Sequence, residues 1–157
     1  MIFLGIHCTS EEEFLSRVYH PDSVGKERTR LSKSVVLAIR ELMKQNEPDD
    51  SSRDQAAFIA IALEKIASTI DLSVTAWEKR GYWVKADRFR MDWAWTERLG
   101  KEMRQAVLEE NWAKIAMTAA QVAQKLMSVE VPQRHRLGEP WMGAWQAMKK
   151  EEQLTGQ

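Results

Sequence analysis

Histidine and cysteine are the residues most able to do chemistry in this chain, and their placement argues against it. His7, His20 and His135 all fall outside the stretches with helical periodicity. His7 and Cys8, as sequence neighbours, project in different directions. Helical metal centres combine carboxylates with Glu-x-x-His, because residues three apart share a face, and the sequence has no such motif. Cys8 would need a general base beside it to act as a nucleophile, and nothing in the sequence places one there. A Gly-rich phosphate loop, a Gly-x-Ser-x-Gly elbow and His-Glu-x-x-His are all absent. Helical nucleotide pyrophosphatases hold magnesium with acidic residues clustered on adjacent helices. Glu64, Asp71 and Glu78 instead repeat at heptad spacing, with Asp87 and Asp92 further on, and they read as a charged flank. No catalytic, cofactor-binding or metal-binding residue is assigned, no cofactor is expected, and an enzyme is the less favoured reading.

Cations offer a second kind of chemistry. At about 100° per residue, Lys26, Arg30, Lys33, Arg40 and Lys44 share one side of a helix, opposite Val24, Leu31, Val35, Ala38 and Leu42. Such a face could hold a phosphate backbone or an acidic protein, or could simply be solvated or meet the Glu64, Asp71, Glu78 line. The 23 basic and 23 acidic residues cancel, so no global field favours nucleic acid. Arg134, His135 and Arg136 form a second, smaller basic group, read as a solvated linker.

The elements that carry these residues are helical. Seven Gly and four Pro are few interruptions, and strong helix formers fill the rest of the chain. Ser10 and Glu13 make a capping box for a short helix ending near Tyr19, and His20-Pro21-Asp22-Ser23 breaks the chain. Long helices are then expected over 24–45, over 51–80 from a Ser51/Asp54 start to a closing Gly81, over 82–109, and over 111–131 from an Asn111 cap to Pro132. An extended linker at 132–139 leads to a docking helix at 140–151, with Pro140 in its first turn. The expected fold is therefore all-α: one domain over 1–157, an antiparallel bundle of four long helices within 9–131, with a short N-terminal helix and a short Trp-rich C-terminal helix. The apolar opening Met1-Ile2-Phe3-Leu4 lacks a basic leader and is not expected to be a signal peptide. The longest apolar run, from Ala56 to Leu63, is too short to span a membrane, and a single cysteine fits a cytoplasmic location.

Two helices carry more apolar surface than one core uses. The third adds Phe58, Ile61 and Ala62 to a main stripe of Ala56, Ile59, Ala60, Leu63, Ala67, Ile70, Val74 and Trp77. The fourth has one stripe at Tyr82, Ala86, Phe89, Trp93, Thr96, Gly100, Met103 and Val107. A second stripe, at Val84, Met91, Trp95, Leu99 and Ala106, is expected about 180° away. That second stripe should be covered by Trp141, Trp145 and Met148 folding back, by another subunit, or by a different partner. Seven tryptophans suit such a surface, since large aromatics anchor contacts. The leading expectation is a non-catalytic protein acting by association, with itself as the expected partner in a homo-oligomer, a dimer first, through Val84, Met91, Trp95, Leu99, Trp141, Trp145 and Met148. The alternatives are an anionic-partner binder (nucleic acid or acidic protein) through the basic face and a helical enzyme without readable motif.

Overall fold

The computed structural model describes residues 21–156, all of whose regular structure is helical. The helices are α1 Pro21–Leu42, α2 Asp50–Lys79, α3 Trp83–Trp93, α4 Trp95–Leu108, α5 Trp112–Lys125 and α6 Ala144–Thr155. The helix expected from the Ser10/Glu13 box, with His7, Cys8 and His20, lies outside the described residues.

Local chemistry moves several boundaries from where sequence spacing puts them. Pro21 opens α1 rather than breaking the chain before it, since the first helical position needs no amide donor. Asp49, not Ser51, caps α2. Its carboxylate accepts the Ser52 amide at 2.8 Å while the Ser52 hydroxyl accepts the Asp49 amide at 3.3 Å, a reciprocal box. Gly81 closes α2 with φ at +81°, and Asn111 caps α5 by accepting the Lys114 amide, both as expected. The single helix expected over 82–109 is two, interrupted at Ala94, where the Thr96 hydroxyl donates to the Trp93 carbonyl at 2.8 Å. Such a contact competes only weakly with the helical amide ladder, and Thr69 makes the same one to Ile66 inside the unbroken α2. Helix α5 stops at Lys125, short of Pro132, and the following segment still buries Leu126 and Val131. Pro140 lies in a turn instead of a helix. The turn ends at Gly143 with φ at +79°, so the terminal helix begins four residues later than expected.

The arrangement is a hub, not four long antiparallel rods. Helix α2 packs against α1, α3, α4 and α6, while α5 leans chiefly on α4. Arg28, near the start of α1, reaches Thr69 and Ser73 near the end of α2, so those two helices run antiparallel. Gly100 lies against Leu63 and Glu64, and Arg53 pairs with Glu110, which makes α4 antiparallel to α2 as well. Helix α6 starts at Asp54 and ends beside Glu64 and Arg104, so it runs parallel to α2. The cause is α2 itself: Ala56, Ala57, Ala60 and Ala62 together with Ile59, Leu63 and Ile66 are wholly buried, an apolar surface too wide for one neighbour to cover.

Where α4 crosses α2 the backbones come close because position 100 has no side chain. A Cβ there would sit 3.2 Å from the Leu63 Cβ and 3.3 Å from the Glu64 Cγ. Gly100→Val should force the helices apart and destabilise the fold by about 1–3 kcal/mol. Thermal unfolding checks this, and an unchanged or raised midpoint would contradict the close approach.

Candidate association surface

Among the described residues α3 has a single buried residue, Ala86, and its two sides differ sharply. On the inner side Ala86 is buried against Ile70 and Val74, with Trp77, Phe89 and Trp93 packed around them. The rings form a continuous cluster: Trp77 meets Phe89 edge-on at 4.8 Å, Phe89 lies 6.3 Å from Trp93, and Trp93 stacks on Trp95 at 6.1 Å. Arg28 ties this cluster to α1. Its guanidinium lies 4.8 Å from the Phe89 centroid and 5.9 Å from that of Trp93. It also donates to the Thr69 hydroxyl and carbonyl and, at 2.7 Å, to the Ser73 hydroxyl. No carboxylate pairs with it among the described residues, and partial burial moves its pKa below the usual arginine value. Arg28 was detectable in the sequence as a cation set into the Val24, Leu31, Val35 stripe, but it was not singled out there.

On the outer side Val84 is 75% exposed and Met91 72%, and at the start of the helix Trp83 is 61% and Tyr82 56% exposed. An open groove of about 610 Å³ lies beside Tyr82, Trp83 and Val84, with Trp77, Phe89 and Arg88 among its other lining residues. The charges along α3 fall into two groups. Arg90 binds Glu78 at 2.6 Å and Asp87 at 2.7 Å, and Lys85 sits 4.4 Å over the Trp77 ring. Arg88 and Asp92 are exposed and have no ion-pair partner among the described residues.

The second stripe anticipated along the fourth helix does not exist as one surface. Val84 and Met91 are open, Trp95 is half-buried, and Leu99 is wholly buried with Thr96, Gly100, Met103, Ala106 and Val107 on a single broad face of α4. Helical drift explains the correction. Leu99 lies only about 40° from Met103 at 100° per residue, so the two lines converge towards the end of the helix. The terminal segment covers the core in the same chain: Trp141 and Met148 are buried in the main cluster and Trp145 is half-buried against it. Asp54 holds this helix by accepting the Gly143 amide at 3.2 Å and the Trp145 amide at 2.9 Å. Arg104 binds Glu64 through two short contacts and also reaches Glu151 and Glu152; the Glu64 carboxylate raises its pKa.

The basic face of α1 is partly occupied by its own chain. Arg30 pairs with Glu27, Lys44 pairs with Glu41, and Arg40 donates to the Val131 carbonyl at 2.8 Å, which leaves Lys26 and Lys33 as its unengaged members among the described residues. Glu64 and Glu78 pair with Arg104 and Arg90 from α4 and α3, not with α1. His135 accepts the Leu137 amide within the linker. Among the described residues no three His, Cys, Asp or Glu side chains converge as metal ligands would, and no helix is long and apolar enough to cross a membrane. By this geometry the described residues form an all-helical structure with a Trp-rich aromatic cluster. Comparison with protein-family models, curated proteins and solved structures finds no match.

If Arg28 fixes α3 onto α2, Arg28→Ala should lower stability by about 2 kcal/mol through lost hydrogen bonds and ring contacts. Chemical denaturation followed by tryptophan fluorescence measures this. A variant as stable as the parent would remove Arg28 from its role.

Proposed function

We propose that the chain is a non-catalytic, cytoplasmic helical-bundle protein that works by protein association, with itself, through the outer face of α3. The observation that carries this reading is the concentration of Tyr82, Trp83, Val84 and Met91, all more than half exposed, on one short helix and the turn before it. Other exposed apolar side chains such as Met43, Met117, Met127 and Leu154 are spread over different elements. Scattered apolar residues need no explanation, whereas Tyr82, Trp83 and Val84 line one open groove together with Arg88 and Asp92, and an exposed apolar patch beside charge is typical of a binding surface. The burial of Trp141 and Met148 narrows the surface to α3, because the C-terminal helix already has its partner. The basic face of α1 supports an anionic partner less well, since three of its five cations are engaged within the chain.

Sedimentation equilibrium should show mass rising with concentration between about 1 and 300 µM. The double variant Val84→Asp, Met91→Lys should raise the dissociation constant at least about tenfold while leaving the helical circular dichroism unchanged. A wild-type chain that stays monomeric throughout that range would overturn the reading.

A further inference from the structure

Resting on the self-association just proposed, we infer that two copies pair through antiparallel α3 helices, in a register set by Arg88 of each copy against Asp92 of the other. Advancing 100° per residue along α3, Val84 and Met91 fall within about 20° of each other and form a narrow exposed strip, with Arg88 about 40° and Asp92 about 80° round from Val84. Arg88 and Asp92 lie to the same side of that strip, one turn apart. A two-fold antiparallel crossing brings like flanks of the two helices together, so charges on one flank meet charges on the same flank of the copy. When the axis passes level with residue 90, Arg88 stands level with Asp92 of the second copy, and Asp92 with its Arg88. The same register sets Met91 beside its counterpart.

Charge and exposure both favour this occupant. Asp87, Arg90 and Lys85 are engaged within the chain, whereas Arg88 and Asp92 have no ion-pair partner among the described residues although they are only four residues apart on one helix. The two therefore form a self-complementary pair beside an exposed apolar strip, which a second copy of the same helix satisfies twice. With 11 residues α3 offers less area than the roughly 1,200 Å² of a standard interface, so the dimer should be weak and dependent on concentration. Its rim charges should govern which register forms more than how tightly it holds.

Charge exchange tests the pairing directly. Arg88→Asp and Asp92→Arg should each weaken dimerisation at least about tenfold, since symmetry places each like-charge contact in the interface twice. The double variant Arg88→Asp, Asp92→Arg should return to within about threefold of wild type. Sedimentation at matched protein concentrations reads all four proteins, and circular dichroism confirms that each is folded. Raising the salt concentration should weaken the wild type and the double variant alike. Should the wild type dimerise while the single variants match it, or while the double variant fails to recover, this register is wrong and self-association stands. A wild type that never dimerises overturns both.

Discussion

The structure depends on one constraint, the breadth of the apolar surface of α2. A helix with a single stripe can be satisfied by one or two neighbours, but α2 buries alanines, isoleucines and leucines over most of its circumference through its first half. It needs cover on several sides at once, and α1, α4 and α6 supply it there while α3 covers the aromatic end. The small residues matter as much as the large ones. Four buried alanines on α2 and the glycine at position 100 allow close approach of the surrounding helices, which would otherwise stand off and leave voids.

Polar groups fix the positions of the covering helices once apolar burial has drawn them in. Arg28 spans α1, α2 and the aromatic cluster. Arg104 gathers Glu64, Glu151 and Glu152, and Asp54 receives the free amides at the start of α6. Each of these groups links elements distant in sequence. They act as orienting contacts, because partly exposed ion pairs contribute little to net stability while apolar burial supplies most of it. The C-terminal helix completes the core, and among the described residues Val84 and Met91 on α3 remain exposed.

Helical content, the α2 core stripe, the glycine stop at position 81 and the Asn111 cap were legible in the sequence because each rests on local periodicity or local hydrogen bonding. The break at Ala94 was not. The Thr96 hydroxyl bonds the Trp93 carbonyl there, but Thr69 bonds Ile66 in the same way inside the unbroken α2, so no local signal in the sequence marks the break. Leu99 was misplaced because two lines of residues that diverge at Val84 converge by Met103, so a stripe followed by spacing alone crossed from the surface into the core. The parallel run of α6 was equally hidden, since it depends on Asp54 and Arg104 meeting partners far along the chain. Of the anticipated surface, Val84 and Met91 lie open and Trp95 half-open, whereas Leu99, Trp141 and Met148 serve the core.

The core closes around α2 within one chain, with the outer residues of α3 left outside it. Hydrogen exchange at low and high protein concentration separates the two parts, because local opening reports cover residue by residue. The account predicts that amides of α2, α4 and α6 exchange equally slowly at both concentrations, while those of α3 gain protection as concentration rises. Protection of α6 that rises with concentration, or of α3 that does not, would contradict it.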